Sequence, residues 1–175
     1  MNFTLSEKSQ QFLQEAKALE QLCVDKYNQA AQQANCSNLS QLLSQIAQQE
    51  QKHLDMVTQL SNGQIPQYTP HVSAMAGIAN QQNQPSQFAT TPSVMQNAMN
   101  STTGQYNQKD KALLEDLLKD EKFVSGAYDQ SIFEQTDGQV RDVLNTIQHQ
   151  EQEHGKMLFD YMNSHGMYAV QPASN

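Results

Sequence analysis

Laid on itself with a shift of 101 residues, the sequence meets its own copy. Glu20 falls on Glu121, Tyr27 on Tyr128, Gln29 on Gln130, Leu43 on Leu144 and Ile46 on Ile147. Gln49-Glu50-Gln51 falls on Gln150-Glu151-Gln152, His53 on His154 and Met56 on Met157, and no gap is needed between the first pair and the last. An ungapped internal repeat restricts the chain to an architecture built from two like units. With 175 residues in all, it has the length of one domain with a sizeable core and is too short for two of ordinary size.

Within each copy the apolar residues keep helical time. Leu39, Leu43, Ile46, Glu50, His53, Val57 and Leu60 step by four and three, and so do Val140, Leu144, Ile147, Glu151, His154, Leu158 and Tyr161. Such a stripe is the buried seam of a packed helix. The preceding segments give Leu13, Ala16, Glu20, Cys23, Tyr27, Ala30 and Ala34, then Leu114, Leu117, Glu121, Val124, Tyr128 and Ser131. The pattern predicts four helices at 7–34, 37–61, 109–134 and 138–164. Asn35-Cys36-Ser37 and Thr136-Asp137-Gly138 offer capping side chains at the short turns, while Asn62-Gly63 and His165-Gly166 offer helix stops. Turns that short make each pair an antiparallel hairpin. The expected fold is all-α: a four-helix bundle of two repeated hairpins, 7–62 and 108–166, within a single domain over 1–175.

Residues 63–107 join the hairpins. This stretch is rich in Gln, Asn, Ser, Thr and Pro, yet it carries Val72, Met75, Ile78, Phe88, Val94, Met95 and Met99. A free linker would be poorer in apolar residues. A crossover packed along the bundle is expected, with a short helix around 92–99, and a flexible tail over 167–175.

The seams also carry charge. Glu20, Glu50, His53, Glu121, Glu151 and His154 all occupy positions whose neighbours are Leu, Ile, Val and Tyr, and no matching Lys or Arg lies on those stripes. A buried, uncompensated carboxylate costs several kcal/mol, so the cluster calls for a cationic partner. Glu20 and Glu50 each stand 15 residues from Asn35, and Glu121 and Glu151 each stand 15 from Thr136. At about 1.5 Å per residue, each pair of carboxylates lies side by side, roughly 22 Å from its turn. Glu-x-x-His puts two donors about one helical turn apart on one face. One Glu from each of two helices, with Glu-x-x-His from each of the other two, is a set suited to two divalent metal ions. Oxygen-rich ligation with two imidazoles favours iron or manganese over copper or thiolate-bound zinc. The plainer reading is a bundle whose Glu and His side chains bond only to one another. Tyr27 and Tyr128, two turns beyond Glu20 and Glu121, suit hydroxyls that orient ligand carboxylates, or core tyrosines in need of any partner.

The remaining composition narrows the partners. The formal net charge of −8 and the lack of a basic run argue against nucleic acid and anionic membrane. No apolar stretch reaches membrane-spanning length, and Met1 to Glu7 lacks the features of a secretory signal. Cys23 and Cys36 read as free thiols, Cys23 as packing since it matches Val124, and His71, His149 and His165 as solvated.

The segment from Leu113 through Glu121-Lys122 and Glu151-Gln152-Glu153-His154 to Tyr161-Met162-Asn163-Ser164-His165-Gly166-Met167-Tyr168 resembles the Coat F family of bacterial spore coat proteins. The whole chain is similar to the wider ferritin-like superfamily in helix order, long crossover and ligand spacing. The first resemblance implies synthesis in the mother-cell cytoplasm, deposition in the spore coat and other coat proteins as partners, with a homo-oligomer also open. The second implies Glu50 and Glu151 as bridging carboxylates and Glu20 and Glu121 as terminal ones. Two functions follow. One is a di-metal oxidoreductase, catalase-like or ferroxidase-like; without a CxxC pair for an internal electron donor, dismutation of peroxide fits it better than a reductase. The other is a structural coat component in which any metal is a staple or a vestige.

Overall fold

The structure, a computed structural model, describes residues 4–69 and 106–170. Four long helices account for most of them: α1 Glu7–Gln33, α2 Ser37–Ser61, α3 Gln108–Glu134 and α4 Gly138–Ser164. All eight helix ends fall within one residue of the periodicity's expectation, and no strand forms among the described residues. The expected helix at 92–99 and the apolar residues of the crossover lie outside the described residues.

Helices α1 and α2 form one antiparallel hairpin, and α3 and α4 the other. The hairpins meet with α1 antiparallel to α3. Lys8 near the start of α1 pairs with Glu134 at the end of α3 (2.7 Å), and Asn35 beyond the end of α1 donates its backbone N–H to Asp110 at the start of α3 (3.0 Å). The end of α2 and the start of α3 therefore stand at opposite ends of the bundle. Ile65 and Tyr68 pack at one end and Tyr106 at the other, so the joining segment connects opposite ends, as a crossover must.

Helix ends follow local chemistry. Ser6 accepts from the Ser9 amide (3.0 Å), and Asp137 caps α4 through the amides of Gln139 and Val140 (2.8 and 3.1 Å). The first turn departs from expectation. Cys36 is the residue before α2 and makes no side-chain capping bond, because Asn35 is turned away to bind buried Asp110 through both its backbone N–H and its carboxamide. At the other ends, Gly63 (φ 72°) and Gly166 (φ 70°) adopt the left-handed conformation that only glycine takes without cost. The amide of Gln64 bonds to Gln59 O and that of Met167 to Met162 O, closing a Schellman motif on each hairpin. Met167 is buried in the core and Tyr168 packs edge-on against Phe159. The ordered hairpin thus runs past the boundary at 166.

The core comes in two apolar parts. Tyr27, Leu39, Leu42, Leu43, Ile46, Leu114, Leu117 and Leu158 fill the turn end of the first hairpin, while Leu13, Val57, Leu60, Val124, Val140, Leu144 and Ile147 fill the other end. Each fully buried Leu or Ile contributes about 1.5–3 kcal/mol. Between the two parts lies a layer of buried Glu and His.

Candidate metal centre

Each helix delivers its ionisable groups to this middle layer by the same seam that buries its leucines. The six side chains on it are almost completely withdrawn from solvent, with Glu121 the most exposed at 4%. No lysine or arginine is buried with them among the described residues. One donor atom from each of Glu20, Glu50, His53 and Glu151 falls within 4.8 Å of the others, and the same holds for Glu50, Glu121, Glu151 and His154. The two groups share Glu50 and Glu151. Glu20 and His53 belong to one end of the layer, Glu121 and His154 to the other.

The distances inside the layer repeat across the hairpins. Nδ1 of His53 lies 2.8 Å from Glu151 Oε1 and 3.4 Å from Glu50 Oε2, and Nδ1 of His154 lies 2.8 Å from Glu50 Oε1 and 3.8 Å from Glu151 Oε2. Glu20 stands 3.7 Å from the first imidazole and Glu121 3.9 Å from the second. The two rings stack with centroids 5.5 Å apart. Close as they are, these groups lie off one another's hydrogen-bonding axes. Both oxygens of Glu50 and of Glu151, Oε2 of Glu20 and of Glu121, and Nδ1 of each histidine are buried without a hydrogen-bond partner. Leaving one buried polar atom unsatisfied costs about 1–3 kcal/mol, and here the unsatisfied atoms converge. Oxygens and imidazole nitrogens turned toward shared points fit cations, and the residues present fit two of them.

What lies behind the donors fixes their direction. Nε2 of His53 bonds to the carboxamide oxygen of Gln150 (2.8 Å), and Nε2 of His154 to that of Gln49 (2.7 Å). A carboxamide oxygen only accepts, so Nε2 carries the hydrogen and Nδ1 faces the carboxylates. The Tyr27 hydroxyl donates to Glu121 Oε1 and the Tyr128 hydroxyl to Glu20 Oε1. Every one of these four bonds joins one hairpin to the other. Each tyrosine orients the carboxylate of the opposite helix, in the manner of groups that hold metal ligands from behind.

The protonation pattern expresses the same crowding. Burial, then the neighbouring Glu151 carboxylate, pushes Glu20 and Glu121 well above the usual carboxylate range. Burial also works against charge on Glu50 and Glu151, but the flanking imidazoles outweigh it and hold both below that range. Burial opposes charge on His53 and His154 too, and there the Glu151 and Glu50 carboxylates prevail and raise both. Without a cation, the layer therefore disfavours charge on Glu20 and Glu121 and favours it on Glu50, Glu151 and the two imidazoles. Two divalent cations would balance four carboxylates, with both imidazoles neutral.

Other residues singled out in the sequence lie apart from this layer's donors. Cys23 is buried against the second apolar cluster, and burial followed by the nearby carboxylates pushes its thiol up, away from the thiolate a metal needs. His149 is half-buried and pairs with Glu153 (3.3 Å). His165 departs from the solvated reading, because its ring stacks on Tyr161 (centroids 4.1 Å apart) and its Nδ1–H donates to the Tyr161 carbonyl (2.8 Å). His71 lies outside the described residues. Gln49 and Gln150 carry roles that the sequence reading did not give them, although the repeat had already paired them.

Residues 109–171 match the Coat F domain. The second hairpin is therefore similar to a Coat F domain, over little more than a third of the chain. The family so matched is one of spore coat proteins. The Coat F hairpin carries Glu121, Glu151 and His154, together with Tyr128 and Gln150, while the first hairpin lies outside the match and joins it through the repeat. No curated protein and no solved structure matches the chain. No helix among the described residues is long and apolar enough to cross a membrane.

Proposed function

We propose that this chain is a spore coat protein whose bundle, a single domain over 1–175, holds two divalent ions, iron or manganese, between its hairpins. The observation that carries this reading is the set of converging, unpartnered donor atoms at the one polar level of the core. Glu50 and Glu151 would be shared between the ions, Glu20 with His53 would complete one side, and Glu121 with His154 the other. Iron or manganese held in this way would supply redox chemistry toward peroxide or oxygen. The protein's part is to hold the donors still: Tyr27 and Tyr128 fix the terminal carboxylates, Gln49 and Gln150 fix the ring faces, and the apolar layers above and below keep bulk water out. The helix order and ligand spacing support a ferritin-like reading of the whole chain. Synthesis in the mother-cell cytoplasm and assembly with other coat proteins accompany it.

Metal content tests the site. Protein purified without chelator is expected to carry about two iron or manganese ions per chain by elemental analysis, and the Glu50→Ala/Glu151→Ala double variant none. No uptake by wild type, even after anaerobic loading with either metal, would sink it. A structural role without chemistry is favoured by a different observation, the large apolar side chains Leu22, Phe123 and Phe133 left exposed on the surface. Peroxide consumption by loaded wild type, lost in the double variant while the bundle stays folded, separates the two.

A further inference from the structure

The repeat relates α1 to α3, so the seam between them has two ends that would be alike if the copies were identical. They are not. At one end Lys26 of α1 reaches across to Asp116 (2.8 Å) and Asp120 of α3, and Leu117, Tyr27 and Ala30 of the same stretches are buried. Adding or subtracting 101 gives the counterparts at the other end: Ala127 for Lys26, Glu15 for Asp116, Leu19 for Asp120, Ala16 for Leu117 and Ser131 for Ala30. The cross-link is gone and a leucine has become an alanine. A cleft of about 80 Å³ opens there between Phe12, Glu15, Ala16, Leu19, Ala127, Tyr128, Gln130 and Ser131. That is room for a few water molecules.

Tyr128 is part of the cleft's wall, and the hydroxyl of Tyr128 is bonded to Glu20 of the polar layer. Ser131, only 3% exposed, also lines it, and its buried Oγ has no hydrogen-bond partner. Its counterpart at the closed end is an alanine, so this hydroxyl belongs to the cleft rather than to the repeat. Toward solvent the cleft widens into a shallow groove that shares Glu15, Leu19, Ala127 and Gln130 with it and extends to Leu22, Phe123 and Lys122, the one cation on its lining. A carboxylate at the mouth, an unpaired hydroxyl deeper in and a carboxylate one side chain beyond make a graded series of oxygen donors.

We propose that this open end of the α1–α3 seam is the route by which a divalent cation reaches the Glu/His layer, with Glu15 attracting the ion and Ser131 Oγ replacing part of its water shell on the way to Glu20. The proposal rests on the metal-site reading above and goes beyond it by assigning a direction of approach. At the Lys26 end the matching positions hold the ion pair and the buried Leu117.

The repeat itself supplies the test. Ala127→Lys rebuilds at the open end the bridge that Lys26 makes at the other, and Ala16→Leu restores the bulk of Leu117 without adding charge. Binding of Co²⁺ alone to chelator-treated full-length protein is followed by stopped-flow absorbance, with final stoichiometry from elemental analysis. Each variant is expected to load about tenfold more slowly than wild type and to reach the same stoichiometry. Lys26→Ala, which unbars the closed end, is expected to restore part of the rate in the Ala127→Lys background. Wild-type loading rates in whichever of Ala127→Lys and Ala16→Leu is folded by circular dichroism would overturn the route while leaving the site intact. Failure of wild type to take up any Co²⁺ would instead overturn the site, and the route with it.

Discussion

The two hairpins agree most closely where their side chains face each other and least where they face the surface. At the polar layer Glu20 and Glu121, Glu50 and Glu151, and His53 and His154 occupy matching places at matching distances, and the supporting Tyr and Gln residues match as well. Six residues along the α1–α3 seam from Glu20 and Glu121, the same repeat gives Lys26 on one side and Ala127 on the other. The difference teaches where the constraint lies. A donor in the layer answers to three or four partners drawn from both hairpins, so changing one copy alone would strand the others. A residue at the seam's rim answers mostly to its own neighbours, and there the copies are free to differ.

The sharpest way to break this comparison is through the shared carboxylates. Glu50→Ala and Glu151→Ala should each abolish binding of both ions, whereas Glu20→Ala and Glu121→Ala should each remove one; calorimetric titration with Mn²⁺ gives the stoichiometry. Unequal results for Glu50 and Glu151 would show that the hairpins are not equivalent at their centre.

Next in size are the apolar layers. Ile46→Ala and Ile147→Ala delete matched, fully buried side chains, and each should cost about 2–5 kcal/mol in chemical denaturation. The larger loss is expected for whichever copy has less freedom to collapse around the void. Smaller changes come from the supports behind the donors. Tyr27→Phe, Tyr128→Phe, Gln49→Leu and Gln150→Leu should each weaken metal affinity by about 10–100-fold without unfolding the bundle. A Tyr128 effect smaller than that of Tyr27 would place the seam's asymmetry inside the site.

The gentlest probe is pH, which should act on the metal-free and metal-loaded proteins in opposite directions. Glu20, Glu121, His53 and His154 all have raised folded-state values, so the native metal-free protein holds more protons than the unfolded chain as pH rises above the ordinary carboxylate range. Its stability should therefore fall as pH rises from the ordinary carboxylate range through and beyond the ordinary histidine range. Glu50 and Glu151 are depressed and add stability that is lost only below the carboxylate range. Loaded protein must release protons to bind its ions, so its Tm should rise over the same interval, by several degrees. Titration with metal near neutral pH should release protons, because the raised groups Glu20, Glu121, His53 and His154 must give theirs up to act as ligands.

Much of this was legible in the residues because helical periodicity and a gapless repeat are strong, local signals. The seams named every donor of the polar layer and placed helix ends to within a residue, since burial on a helix follows position in the turn. The failures are just as physical. Asn35 was read as a cap because its type favours caps, but a buried acceptor on another helix, Asp110, claimed it. His165 was read as solvated because it lies off the seam, and only the packed turn shows the Tyr161 ring beneath it.

The sequence by itself determined four amphipathic helices, their pairing into two like hairpins, and the level at which six ionisable side chains stand, because each of these depends on spacing along one chain. Tertiary structure alone decided that Tyr27 serves Glu121 rather than its own hairpin's Glu20, that Gln150 and Gln49 set the faces of His53 and His154, and that one end of the α1–α3 seam is open. Those are contacts between helices, and periodicity fixes which face a residue occupies but not which atom across the interface will meet it.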